Sequence, residues 1–377
     1  MPFALDGSAV ANVVRALTRE HARAGGHSTA VTSHNRSASF PHADMLTVDY
    51  TQFCPQQYFT RREYLADMAH GLVLRERPHG GQVFAPAVEA LAVAQPDWVV
   101  VHEGHYAAAA LPRLRRALPN AGVALHAHNR LSRSYLRPEL SYLLKQADLV
   151  LCVSKFSAQR VRRRAWVSSR KVRPVLNGVD HELFRPGCEV SAHDGPVRLL
   201  YVGQVAPHKG VHLLLQALER SGSGAVAFEL RIVGSARHGA TNQLDSYERA
   251  LRDAAAALPC KVAFEPFAAQ GALPDVYRWA DAVCVPSVVP EAFGLVVAEA
   301  MACGVHVLAS RVGALPEVLG GAGTLVQRDA AAWAVALGRL DRDVLRMGAA
   351  RSLDRAAGLS WANSYRAMAT ALSMAQR

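Results

Sequence analysis

Glu291 and Glu299 stand eight positions apart in the run Pro286-Ser-Val-Val-Pro-Glu-Ala-Phe-Gly-Leu-Val-Val-Ala-Glu-Ala-Met-Ala-Cys-Gly304. A turn rich in Pro and Gly leads there into an apolar helical stretch. The amides of Phe293, Gly294, Leu295 and Val296 then lack intrahelical acceptors and point outward with the positive end of the helix dipole. Such an end is an anion site. It carries one carboxylate on the loop before the helix and another in its early turns, and two acceptors flanking a phosphate pocket suit two sets of sugar hydroxyls. A surface Glu followed by a solvated one is the plainer reading of such a pair. Against it, Glu299 sits among Val, Ala and Met, where an unpaired carboxylate is expensive.

Histidines form a second constellation, in Val101-His102-Glu103-Gly-His105 and Leu125-His126-Ala-His128-Asn129-Arg130. Both runs end short apolar stretches, and the carboxyl ends of strands in open α/β sheets face the ligand crevice. A His-x-His step on a strand also suits a metal, but no acidic or cysteine partner with ligand spacing accompanies it, so no metal is expected. Gly7-Ser8 before an amphipathic helix has the form of a loop approaching a phosphate. Only six residues precede it, which predicts either a truncated first strand or a start further upstream.

The elements that must position these residues alternate between short apolar runs and longer helical stretches, the pattern of parallel α/β domains. Candidate strands include Trp98–His102, Val123–His126, Leu149–Val153, Val197–Val202, Phe228–Val233, Ala282–Val285 and Val305–Ala309. Helical stretches include Ala9–Ala24, Leu111–Leu118, Val211–Arg220 and Asp245–Ala257. The stretch around 177–196, rich in Gly, Pro and charge, predicts a linker, after which the same pattern restarts. The division expected is a first Rossmann-like domain over 1–177, a linker over 178–196, a second Rossmann-like domain over 197–355 and a returning helix over 356–377. Two doubly wound domains facing a cleft are the expected architecture.

Length and composition agree: 377 residues suit two domains at about 100–200 residues each. With 50% hydrophobic and 19% charged residues, disorder and low complexity are excluded. Six cysteines without a close pair argue against a zinc ribbon or disulfide scaffold and for a reduced, cytoplasmic setting. No secretory signal is visible, and the apolar stretch Ala292–Ala309 is broken by Glu299, His306 and two glycines, so it is expected to be a buried helix and strand. The net charge of +11, concentrated in the amino-terminal half, implies polyanionic company. The basic run Arg160–Arg164 with Arg170, Lys171 and Arg173 suits either a peripheral contact with an anionic membrane face or a solvated helix surface. Nucleic-acid binding lacks any motif.

The glutamate run, followed by Val305-His-Val-Leu-Ala-Ser310 and Gly313-Ala-Leu-Pro316-Glu317, resembles the E-x7-E region of glycosyltransferase family 4. Tyr201-Val-Gly203-Gln-Val-Ala-Pro-His-Lys209-Gly210 resembles the family's glycine loop ending in Lys-Gly, and Asn177-Gly178-Val179-Asp180 with Phe184-Arg-Pro186 resembles its Asn-Gly-Val-Asp segment. The likeness is strong over 145–330 and weaker before it. It implies a GT-B fold and a retaining, metal-independent transfer of a hexose from a UDP- or GDP-sugar to a hydroxyl. A small-molecule, natural-product or glycolipid acceptor, and no bound cofactor, go with it.

Carried over by resemblance, Glu299 holds the ribose and Glu291 lies by the sugar hydroxyls. Residues 292–296 (Ala292, Phe293, Gly294, Leu295, Val296) meet the sugar and diphosphate, and Lys209 neutralises the leaving group. Gly7, Ser8, Gly203 and Gln204 line the diphosphate, His128 meets the donor sugar, and His102, His105, Asn129 and Arg130 are acceptor candidates. Many members have Arg where this chain has the uncharged Gln204, which throws more of the charge stabilisation onto Lys209. A nucleotide-sugar epimerase on the same scaffold and a non-catalytic sugar-nucleotide binder are the alternatives. High Ala and Arg content points to a GC-rich bacterial source.

Overall fold

The computed structural model describes residues 9–33, 39–48, 61–73, 77, 81–103, 107–129, 131, 135–187, 195–222, 226–235 and 244–375. The chain divides into two compact units, one of 1–177 with 361–377 and one of 178–360.

The first unit holds a parallel pair, β1 (Thr29–Ser33) and β2 (Asp44–Val48), and a parallel four-stranded sheet. That sheet runs in the order β3 (Trp98–Glu103), β4 (Gly122–Ala127), β5 (Leu149–Cys152), β6 (Val172–Pro174). Strand β5 is buried along its whole length and β4 from its second residue on, as expected of strands covered by helices on both faces. Their side chains meet Leu111, Leu114, Leu140, Leu143 and Leu144 from the helices Leu111–Ala117 and Arg137–Lys145 in one apolar core. The helix Lys155–Arg164 is started by Ser154, whose hydroxyl accepts from the Ser157 amide at 3.0 Å. The final helix, Trp361–Ala375, packs on the helix Ala9–Arg23, with the rings of His21 and Tyr365 5.7 Å apart.

The second unit is a six-stranded parallel sheet of β7 (Val197–Val202), β8 (Phe228–Val233), β9 (Lys261–Glu265), β10 (Ala282–Val285), β11 (His306–Ser310) and β12 (Thr324–Val326). In space the order is β12-β11-β10-β7-β8-β9, the arrangement of doubly wound nucleotide folds. The helix Val211–Ser221 buries Val211, Leu214, Leu215 and Leu218, an i, i+3, i+4, i+7 stripe that faces the sheet. The fully buried Trp333, on the helix Ala330–Leu337, joins the same core. Asp245, Asp329 and Asp341 cap their helices by accepting from the amides three residues on.

Two expected boundaries need correction. The expected linker over 178–196 does not hold for residues 178–187, which are built into the second unit, and 188–194 lie outside the described residues. The Val179 amide donates to the Leu359 carbonyl at 2.8 Å and Val179 bridges Ser360, while Phe184 is buried and meets Tyr277 edge-on at 6.0 Å. The returning helix likewise begins at Trp361 and not at 356, since the preceding helix runs Arg342–Ala357 and Ser360 is held by that bridge. The apolar stretch before 310 resolves into the helix Leu295–Ala302 and β11. Among the described residues no helix is long and apolar enough to cross a membrane.

Candidate active site

Strands β7 and β10 are neighbours in the sheet, yet the chain leaves them toward opposite edges. Their carboxyl ends therefore open the crevice in which doubly wound sheets take ligands. The loop after β7 carries Gly203, Gln204 and Lys209, and the loop after β10 carries Ser287 and Glu291 and runs into the helix Leu295–Ala302. A backbone bond ties the two loops, Val288 amide to His208 carbonyl at 3.0 Å. Their approach needs glycine at 210, where φ is +81° and a Cβ would lie 2.0 Å from the Pro286 carbonyl oxygen. From the far side Gly313, at φ +61°, presses on Glu291: a Cβ there would meet both its amide nitrogen and its carbonyl oxygen at 2.4 Å. The Ala314 amide donates to that same carbonyl at 3.0 Å.

Glu291 is thus placed by backbone, and its side chain meets a cation. Lys209 Nζ lies 2.7 Å from Glu291 Oε1, and Ser287 Oγ donates to the same oxygen at 2.7 Å. Both charged side chains are only partly exposed, so the pair is stronger than a fully solvated one. The helix beyond starts at Gly294, in a left-handed conformation with no capping side chain. Its positive end carries no side-chain cap among the described residues, and Phe293 is buried just before it. In the loop after β7, Tyr201 Oη donates to the Gln204 carbonyl at 2.6 Å, which fixes the turn beyond Gly203.

Glu299 lies one turn into that helix. Its Oε2 accepts from Tyr277 Oη at 2.7 Å, and burial pushes its carboxyl up to about 7 even though the tyrosine hydrogen bond favours the charged form. Burial, and then the Glu299 charge, raise the Tyr277 hydroxyl well above its ordinary value. Tyr277 and the Phe184 ring against it were not among the sequence-derived candidates. Phe184 was visible in the Asn-Gly-Val-Asp segment without a site role, and Tyr277 sits in a short helix, Leu273–Trp279, with no spacing relation to the glutamates.

In the first unit, His102 pairs in register with His126, and the two-residue step to His128 returns to the same face of the sheet. His102 Nδ1 and His128 Nε2 share a hydrogen bond of 3.0 Å, and the His126 and His128 ring centres are 4.3 Å apart. Burial lowers His102 to about 4, and burial with the neighbouring imidazoles holds His126 and His128 well below the usual range. Asn129 follows at an exposed position. Gly7, Ser8, His105 and Arg130 lie outside the described residues. In the basic run, Arg162 donates to the Val172 carbonyl at 2.6 Å and Arg160 covers the Phe156 ring, so part of that charge serves the helix itself.

Comparison with known proteins matches both units. Residues 10–183 fit the family model described as Glycosyltransferase Family 4, and residues 196–343 the one described as Glycosyl transferases group 1. A D-inositol 3-phosphate glycosyltransferase of Nocardia farcinica is 33% identical over 249 residues, 62% of this chain and 54% of that protein. A lipopolysaccharide 1,2-N-acetylglucosaminetransferase of Salmonella typhimurium is 31% identical over 216 residues, 54% of this chain and 53% of its own length. The chain thus spans about half the length of the curated relatives it matches. Among solved structures, Anabaena HepE in complex with UDP and glucose superposes with a TM-score of 0.73 at 18% identity, covering 98% of each chain. That likeness assigns the GT-B fold, with its two Rossmann-like domains. With a family model over each unit and this fold beneath them, the chain belongs to the family 4-like glycosyltransferases.

Proposed function

We propose that this protein transfers a hexose from a nucleoside-diphosphate sugar, UDP- or GDP-linked, to the hydroxyl of a small-molecule, natural-product or glycolipid acceptor, with retention of anomeric configuration. The observation that carries the proposal is the Lys209–Glu291 pair at the β7/β10 switch point, beside a helix start that no side chain caps. Breaking the bond between an anomeric carbon and a diphosphate leaves negative charge on the departing phosphate. A cation and amides already in place stabilise that charge without reorganising.

Lys209 takes the charge of the leaving diphosphate together with the amides of 293–296. Glu291 holds Lys209 in position and offers its remaining oxygen to sugar hydroxyls, with Ser287 fixing its rotamer. Glu299, aligned by Tyr277, accepts from the ribose hydroxyls. Gly203 and Gln204 approach the diphosphate through backbone, and His128 contacts the sugar. The departing phosphate takes the acceptor proton on the face it leaves, so the protein supplies position and charge and no covalent nucleophile. With Lys209 and the amides in these roles, the transfer step requires no metal. The relatives' names, an inositol phosphate and a lipopolysaccharide transferase, support a hydroxylated acceptor in this range. The reading places the protein in the cytoplasm, with the basic helix Lys155–Arg164 as the surface that would meet an anionic membrane.

A thermal-shift screen with UDP, GDP, ADP and TDP and their hexoses tests this, on the natural protein and on Glu299→Ala. One nucleotide should stabilise the natural protein, by about 2.7 kcal/mol at 100 times its dissociation constant, and the gain should vanish in the variant. No stabilisation by any of them would overturn the proposal.

A further inference from the structure

His102, His126 and His128 each bring a ring nitrogen to within 4.8 Å of the other two. His126 is fully buried, and neither of its nitrogens has a hydrogen-bond partner among the described residues. A protein interior seldom keeps an imidazole in that condition, because an apolar side chain of the same size would satisfy the space without two orphaned polar atoms. The register of β3 on β4, and the return step from 126 to 128, hold all three rings on one face of the sheet. We propose that these three imidazoles bind one divalent transition-metal ion of the zinc class, leaving a fourth position open to water or to a ligand oxygen.

The geometry suits such an ion. Zinc holds imidazole nitrogens at about 2.0–2.1 Å in a tetrahedral arrangement, which sets neighbouring nitrogens about 3.3 Å apart. His102 Nδ1 and His128 Nε2 are already 3.0 Å apart, and the third nitrogen is near enough for small ring rotations to close the set. Three imidazoles favour zinc, copper or nickel over magnesium or calcium, which prefer oxygen. The orphaned His126 is the ligand that gains most, since the ion satisfies a nitrogen for which the described residues offer no partner. The site lies in the first unit and shares no residue with the Lys209–Glu291 pair. Where His128 contacts the sugar, an ion on its Nε2 competes with that contact and zinc slows transfer. That single consequence rests on the proposed function, whereas the binding does not.

Protein stripped with chelator and titrated with cobalt(II) should develop the visible bands of a tetrahedral site at one equivalent. Zinc should displace them and remain at one equivalent after gel filtration, measured by elemental analysis. Zinc should also raise the melting temperature of the natural protein. His126→Leu should abolish the bands and the zinc-dependent rise, while melting no lower than the natural protein when both are metal-free. If that variant does not fold, His102→Gln, at a partly exposed ring, should show the same losses. Absence of cobalt bands in the natural protein overturns the site, as does retention of one equivalent by the folded histidine variant. If zinc binds but leaves transfer unchanged, the sugar contact of His128 falls and the metal site stands. If no metal binds, the transfer reading is untouched.

Discussion

Tyr277 Oη and Glu299 Oε2 are 2.7 Å apart, in a setting that pushes the glutamate up to about 7. A ribose hydroxyl donates best to a carboxylate, so nucleotide affinity should rise with pH through about 7 and fall below it, with proton release on binding near that value. Stability carries the opposite sign. The folded-state value lies above the ordinary 4.5, so between about 4.5 and 7 the folded protein binds more protons than the unfolded chain, and this group's contribution declines as pH rises through that window. Melting curves across the window should show the decline in the natural protein and not in Glu299→Gln. Isothermal titration calorimetry in buffers of different ionisation enthalpy should detect the released proton. An affinity flat between pH 5 and 8 would contradict the role of Glu299.

Lys209→Ala should lower kcat by about 10²–10³, the usual cost of removing one preorganised charge or donor from a developing anion. Steady-state rates with a donor hexose would measure it. Lys209→Arg keeps the charge but not the point geometry beside Glu291 and Ser287, and should recover only part of the rate.

Gly313→Ala should cost more than about 1–2 kcal/mol, because the added carbon meets the Glu291 backbone at 2.4 Å while φ is +61°. It should weaken nucleotide binding as well, since the displaced residue is Glu291 itself. Gly271→Ala meets nothing within 4 Å and should stay within about 0.5 kcal/mol of the natural protein. Chemical denaturation of the two variants side by side is the check.

In the first unit the Arg77 guanidinium is bound through two nitrogens to the buried Glu139, one contact being 3.0 Å, and it covers the Tyr135 ring. Arg77→Met should cost about 3–5 kcal/mol by leaving that carboxylate buried with the Leu136 amide at 3.1 Å but without its cation, and adding Glu139→Leu should restore part of the loss. A double-mutant cycle by urea denaturation would show the recovery.

Much of the architecture was legible because apolar periodicity is local. The strands Val197–Val202, Phe228–Val233 and Ala282–Val285 coincide with their sequence-derived limits, since short runs of mainly apolar and β-branched residues bounded by turns mark strands even where Arg198, Glu229 and Arg231 interrupt them. The short strands β1, β2, β6, β9 and β12 escaped, as three to five residues of mixed polarity carry no period that separates them from loops. The stretch after Asn177 looked like a linker by composition. Its role depended on Phe184 finding Tyr277 and Val179 finding Leu359, contacts that composition does not encode.

The sequence by itself determined the alternation of strands and helices and the glycine-led turn into the helix at 295. It also carried the family likeness of the Glu291–Glu299 run. These depend on residue type and on spacings of a few positions. Tertiary structure alone decided that Lys209, 82 positions earlier, would meet Glu291, and that Tyr277 would align Glu299. It also decided that the register of β3 on β4 would set His102 beside a His-x-His step that lacked a third ligand in sequence. The physical reason is common to all three: a hydrogen bond or ligand set needs atoms within about 3 Å, and only packing of the sheets brings distant segments that close.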